Sequence, residues 1–548
     1  MTAQLIAIGL YVAALLVIGF IASRRMHDIR DYFASGKRLG FINVAFSSRA
    51  TGESAWLLLG LTGMGFAVGV QAFWVVLGEI IGVAGAWLFM AKRFKRLTDR
   101  YDSLTVPDYL ESRFRDSSHW LRLIAAGALV IFVPIYAAAQ VHAAGGAFYD
   151  FLGWNHYVGA AFGFAVVLLY ITQGGFTAVV WSDVFQGTLM LLGLVVLPIV
   201  AFMEIGGFTN LIDSTRAINP DLLTLHGPAP ANEAGEQIAG AGGWNAGSIF
   251  TVLGFIAIGI GFLGSPQVFV RFISIKSERE INKGTLVAVT WTTLALSGAV
   301  CIGILGRAIF LPTDIMPIDP ETVDAVAPTV SAVQDSILPH MAEVLLPAFF
   351  TGLFIAMVLS AIMSTIDSLL VVASSAAVRD YWQKTRHPDM SDERLVSTSR
   401  KLTVILALIA FALGIGILLY DKEQGIFWTI IFGWSGIAAT FCPTIILSLF
   451  WSKLTSLGAK CAMVAGFLGV PFFKFGLPPV FRAIGKDDWV AYLGGLDVLL
   501  PSFIVGFVVA IVVSLLDKSG QAKVADAGID LDFAKRGPSS GNGDEPGV

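Results

Sequence analysis

Four oxygen-bearing side chains, Ser364, Thr365, Asp367 and Ser368, fall within about one helical turn of the otherwise apolar stretch LSAIMSTIDSLLVVASS (359–375). Hydroxyls, backbone carbonyls and a carboxylate are the donors a hard cation prefers. Neither sulfur nor nitrogen is offered, which argues against a transition metal. Ser and Thr also serve simply as hydrogen-bonding groups between membrane helices, so the cluster alone decides nothing. A second group lies in FINVAFSSRATGESAWLLLGLTGMGF (41–66), where Arg49 and Glu53 stand four residues apart and, if helical, share a face and can pair. Glu79 and Asp183 are further ionisable groups in apolar surroundings, where such groups are costly and usually functional. The seven histidines are scattered, and Cys301, Cys442 and Cys461 show no CxxC spacing. Metalloenzyme chemistry is therefore unsupported.

The elements that must position these groups are membrane helices. Of 548 residues 55% are hydrophobic and 14% charged, with a mean hydropathy of +0.74, against about 25% charged in soluble domains. The apolar residues gather in runs of roughly 18–28, each able to cross a ~30 Å hydrocarbon core as a helix. We count about thirteen, without the alternating ten-residue segments of a β-barrel. The first, from about Gln4 to Ala22, exceeds a signal-peptide core and has no cationic segment before it, so it reads as a permanent helix. Lys and Arg crowd the odd-numbered connections, for example Lys92, Arg93, Lys95, Arg96 and Arg100. The connection 206–246 holds only Arg216 as a cation, and 311–340 holds none. The positive-inside rule then puts the amino terminus outside and the carboxyl terminus in the cytoplasm, in a plasma (inner) membrane. The polar segment 519–548 is expected to be disordered.

Two spans look interrupted. In the second, Ser47–Ser54 is polar and contains Gly52. Five spans later, FIAIGIGFLGSPQVFVRF (255–272) carries Gly259, Gly261, Gly264, Ser265 and Pro266. Pro removes a backbone donor and clashes with the preceding turn. Opened backbone is tolerable in a membrane only where it lines a cavity, and interrupted helices at matching positions mark the inverted repeats of secondary transporters. The expected organisation is a first helix and its connection (1–39), a first repeat (40–205), an extracellular loop (206–246), a second repeat (247–452), two further helices (453–518) and the tail (519–548).

Several blocks resemble the sodium/solute symporter family, most of all its bacterial sodium/proline symporters: DYFASGKRLG (31–40), SAWLLLGLTG (54–63), LTVPDYLESRF (104–114), GGFTAVVWSDVFQGTLM (174–190), GSPQVFVRF (264–272) and AIMSTIDSLLVVASS (361–375). The resemblance implies an all-α polytopic fold with a LeuT-type core of two inverted five-helix repeats, one extra helix before and two after. It implies a Na+ site made by the carbonyls of Ala50, Glu53 and Ala361 with the hydroxyls of Ser364 and Thr365. Some relatives bind a second sodium; the matching set here is Asp183, Ser364, Asp367 and Ser368, with Asp367 standing where a relative has serine. Where proline symporters carry an aspartate in the first broken helix this chain has Gly52, followed by Glu53. Their tryptophan and tyrosine in the second broken helix are Ile258 and Phe262 here, while Pro266 is retained.

The reading is a sodium-coupled symporter that imports a small organic solute by alternating access, proline or a related amino acid fitting best, with no enzymatic activity and no nucleic-acid partner. The expected solute pocket is lined by Arg49, Thr51, Gly52, Ser54, Trp74, Phe262 and Pro266. A monocarboxylate or a sugar is the alternative solute. Proton coupling through Glu53, Glu79, Asp183 or Asp367 is the alternative to sodium. A channel lacks a selectivity-filter sequence here, and a sensor lacks a signalling domain.

Overall fold

The computed structural model describes residues 2–24, 29–231, 237–316, 329–420 and 426–537. With no water in a bilayer core to satisfy peptide groups, long apolar runs must close their hydrogen bonds internally, and they do so as helices. In chain order these are α1 (Thr2–Ser23), α2 (Phe41–Ala55), α3 (Phe73–Gly85), α4 (Trp120–Leu152), α5 (His156–Glu204), α6 (Ala246–Ala257), α7 (Pro266–Ser274), α8 (Glu278–Ile309), α9 (Ala348–Ser375), α10 (Asp392–Tyr420), α11 (Ile426–Phe450), α12 (Ser456–Pro471), α13 (Leu499–Leu516) and α14 (Ala527–Arg536).

Among the described residues, eleven helical stretches are long and apolar enough to cross a membrane. Lengths alone therefore do not reproduce the thirteen spans expected. One stretch, Phe41–Arg100, runs for 60 residues, far beyond the ~20 that one crossing needs. Its backbone turns at Gly69, whose φ of 62° suits glycine. In α5, a shorter apolar helix, His156–Leu169, precedes a bend at Gly175 (φ 55°) and the 30-residue stretch Gly175–Glu204.

Both expected interruptions are present. α2 breaks at Ser54, with φ 28° and ψ −168°, a conformation that costs a non-glycine residue about 1–3 kcal/mol and persists only where its surroundings enforce it. Here α4 does so: the Tyr136 hydroxyl donates to Ser54 Oγ at 3.3 Å, and Gln140 Oε1 accepts the Ala55 N–H at 3.0 Å. The second break separates α6 from α7 through a tight turn, Ile258–Leu263, and Gly264. Pro266 then starts α7, where its missing N–H leaves no hydrogen bond unmade.

α9 is the innermost helix, and its most apolar 18-residue window is wholly buried. It packs against α1, α2, α4 and α5, while α8 packs against α2, α3 and α5. A short bridge joins the residues before α2 to the end of α7, with the Leu39 N–H donating to the Ser274 carbonyl and the Lys276 N–H to the Leu39 carbonyl. α12 and α13 pack on each other and on α11.

The segment 519–548 is not structureless throughout. Its described part contains α14, which buries Ala527, Asp530 and Ala534 at helical spacing. Arg96 caps the helix by donating to the Ala534 and Lys535 carbonyls at 2.8 and 2.9 Å while pairing with Glu278 at 2.6 Å. The polar composition concealed this helix because its anchors come from chain more than 400 positions earlier. Residues 538–548 lie outside the described residues.

Candidate ion and solute site

The seam between α2 and α9 holds the oxygen cluster. α9 places Ser364 and Thr365 toward the last helical turn before the Ser54 break, where the carbonyls of α2 lose part of their helical bonding. The Ser364 hydroxyl lies 3.0 Å from the Ala50 carbonyl and 3.2 Å from the Ala361 carbonyl. The Thr365 hydroxyl donates to the Thr51 carbonyl at 3.1 Å. All of these residues are buried. Three carbonyls and two hydroxyls thus lie together in a buried seam, an all-oxygen set suited to a hard monovalent cation. The structure brings Ala50, Ala361 and Ser364 together as expected, and Thr365 beside them. The Glu53 carbonyl accepts the Trp56 N–H at the break, and Thr51 adds its own carbonyl to the seam.

Just beyond lies the second set. Asp183 of α5 accepts from Ser47 at 2.5 Å, from Thr51 at 3.3 Å and from Arg271 of α7 at 2.9 Å. The Arg271 guanidinium also donates to Ser368 Oγ at 2.7 Å, to Ser47 Oγ at 2.8 Å and to the Thr51 hydroxyl. Ser368 in turn donates to Asp367 at 3.2 Å. Asp183, Asp367 and Ser368 are therefore neighbours, but a cation of the protein's own stands among them. Arg271 sits on Asp183 Oδ2, while Asp183 Oδ1 accepts no hydrogen bond among the described residues.

On another side of α2, Arg49 forms the four-residue pair with Glu53 and a second ion pair with Glu79 of α3 at 3.3 Å. All three side chains are no more than 1% exposed. The guanidinium stacks 4.4 Å from the centre of the Phe262 ring and 5.9 Å from that of Trp291. Gly52 lies against the same ring: a Cβ at that position would sit 2.6 Å from Phe262. Trp434 of α11 holds the second break, its ring 4.9 Å from Phe262 and its indole donating to the Ile258 carbonyl at 3.1 Å. Arg49, Gly52, Ser54 and Phe262 thus meet around the two breaks, with Pro266 opening the next helix. Trp74 is placed differently, its indole donating to the Leu225 carbonyl of the 206–246 connection at 2.9 Å.

Past the end of α9 lies a cluster of buried ion pairs, a charged latch. The short helix Val106–Phe114, capped by Thr105, sets Asp108 between Arg122, at 2.7 Å, and Arg379. Thr105 also donates to Asp380 at 2.8 Å. Burial alone would raise the Asp108 carboxyl, but the two guanidiniums outweigh it and hold the group at about 2.

From the sequence alone, Ser47, Gln140 and Arg271 carry no assigned site role. Arg271 had a visible signal, a lone arginine six residues after Gly264-Ser265 in an apolar stretch; Gln140 in a 33-residue apolar helix had a weaker one.

The family model of the sodium:solute symporter family matches residues 32–466. The chain is 30% identical over 513 residues to the high-affinity proline transporter PutP of Bacillus subtilis, covering 93% of this chain and 98% of that protein. It is 30% identical over 522 residues to the sodium/proline symporter of Escherichia coli, covering 95% and 94%. Among solved structures, a Na+-coupled sialic acid symporter in a substrate-bound outward-open state superposes with a TM-score of 0.70 at 18% identity, covering 94% of this chain and 98% of that one. That likeness establishes the LeuT-type fold.

Proposed function

Because this chain belongs to the sodium:solute symporter family, a family of secondary transporters rather than enzymes, we propose that it imports proline or a related amino acid together with Na+ by alternating access. The observation that carries the sodium half is the α2–α9 seam, where Ser364 and Thr365 meet the Ala50 and Thr51 carbonyls. A cation bound by all five oxygens ties α9 to the broken helix and so favours the conformation in which the solute pocket around Gly52, Ser54 and Phe262 is shaped. Ion and solute couple only because both prefer that conformation. The proline transporters among the relatives support the solute half.

In this reading the chain crosses the plasma membrane thirteen times, with Phe41–Arg100 and His156–Glu204 each crossing twice. The amino terminus is outside, and the Asp108 latch and α14 are cytoplasmic. Arg271 and Asp183 brace the route by which the ion leaves.

One observation favours a second solute reading. Phe262 lies against Gly52, so the pocket has an aromatic wall and no carboxylate at position 52, and a monocarboxylate or sugar is the next candidate. Uptake into proteoliposomes of labelled proline, other amino acids, monocarboxylates and sugars, each with and without an inward sodium gradient, tests both halves. Sodium-driven accumulation of proline or a close analogue is expected. Sodium-driven accumulation restricted to a sugar or monocarboxylate overturns the solute assignment.

A further inference from the structure

The Arg49 cluster does not balance. Two carboxylates, Glu53 and Glu79, face one guanidinium, and all three are sealed from solvent. Glu53 Oε2 and Glu79 Oε1 accept no hydrogen bond among the described residues. A buried charge left uncompensated is far more costly than a paired one, so this cluster has the electrostatics of a site for one more positive charge. Its walls agree: the faces of Phe262 and Trp291 are directed at the guanidinium, and an aromatic face attracts a cation through its quadrupole.

We infer that Glu53 and Glu79 recognise a positively charged nitrogen on the solute, with Glu79 the residue that sets this specificity. The inference rests on the proposed transport of an organic solute and narrows it to amines. A protonated amine brings N–H donors to the carboxylate oxygens and one positive charge to the excess negative one. A monocarboxylate meets like charge here, and a sugar leaves the excess unanswered. Sodium has its own oxygens on the α9 side of α2, where the Ala50 and Thr51 carbonyls point. Phe262 touches both the cluster and Gly52, which puts the amine end of a solute beside the helix break.

The test uses the purified full-length chain, with sodium present throughout. Binding of proline, proline methyl ester, N-acetylproline and cyclopentanecarboxylate is followed by tryptophan fluorescence, and labelled proline uptake is measured in parallel. The expected result is that the two compounds with a charged nitrogen bind and compete, while the other two do not. Glu79→Gln should weaken proline binding by about tenfold or more, the cost of one hydrogen bond to a charged group. Its half-activating sodium concentration should stay near wild type, and Glu79→Asp should recover part of the loss. Competition by N-acetylproline or cyclopentanecarboxylate as strong as that by proline overturns the inference, as does wild-type proline affinity in a folded Glu79→Gln. Proline-dependent proton entry that Glu79→Gln abolishes also overturns it, by giving the excess charge to a proton. If amines bind but no proline is accumulated, the transport reading fails and the amine site stands.

Discussion

The Ser364 hydroxyl donates to the Ala50 carbonyl at 3.0 Å, although 314 positions separate the two residues. This contact joins the innermost helix to the broken one, and a cation bound there senses both. Ser364→Ala removes one of two hydroxyls from the seam and leaves its carbonyls in place. The half-activating sodium concentration of uptake should rise by about tenfold, equivalent to ~1.4 kcal/mol for one lost oxygen contact. Sodium titration of uptake checks this, and an unchanged midpoint would place the ion elsewhere.

Asp183 and Arg271 form a wholly buried ion pair at 2.9 Å. Removing one partner strands the other, at a cost of roughly 3–5 kcal/mol. Asp183→Asn should therefore lower the melting temperature in detergent strongly and abolish uptake. The double variant Asp183→Asn with Arg271→Gln should melt well above Asp183→Asn alone. Additive losses in the double variant would mean that the two charges do not depend on each other.

Gly52 leaves room for the Phe262 ring, since a Cβ would come within 2.6 Å of it. Gly52→Ala should overpack the break by about 1–3 kcal/mol and suppress uptake. Phe262→Leu in the same chain should restore part of it. Uptake kinetics of the two variants decide the point, and a fully active Gly52→Ala would show that Phe262 moves freely.

Asp108 is held at about 2 by Arg379 and Arg122. Because this pKa is depressed below the unfolded value of 3.8, the stability it contributes is fully present above that value and is lost as pH falls toward 2. The contribution is roughly 2 kcal/mol. The gap in melting temperature between wild type and Asp108→Asn should stay constant from pH 7 to about 5 and close only below pH ~4. A gap already closed at pH 6 would contradict the pairing.

Features that are local in the chain were legible before the structure. Pro266 and the neighbouring glycines announce the second break wherever they are packed, and Ser364 and Thr365 are adjacent polar residues in apolar surroundings. The Arg49–Glu53 pair follows from helical spacing alone. The features that stayed hidden depend on chain far away. Glu79 could be seen as a charge in a membrane but not as the second carboxylate on Arg49. Arg271 reaches Asp183 across 88 positions, and no local pattern encodes that meeting. The Thr51 carbonyl meets the Thr365 hydroxyl at the seam across 314 positions, just before Ser54 turns the backbone at φ 28°. Trp74, expected in the pocket, has its indole on the Leu225 carbonyl, 151 positions away.

In the proposed cycle, sodium bound at the α2–α9 seam drives uptake of the solute. Proteoliposomes containing the full chain, given an inward sodium gradient at equal pH on both sides, should accumulate proline or a related amino acid above its external concentration. Thr365→Ala should require about tenfold more sodium for the same rate. Accumulation that follows a pH gradient, ignores sodium and is untouched by Thr365→Ala would contradict the account.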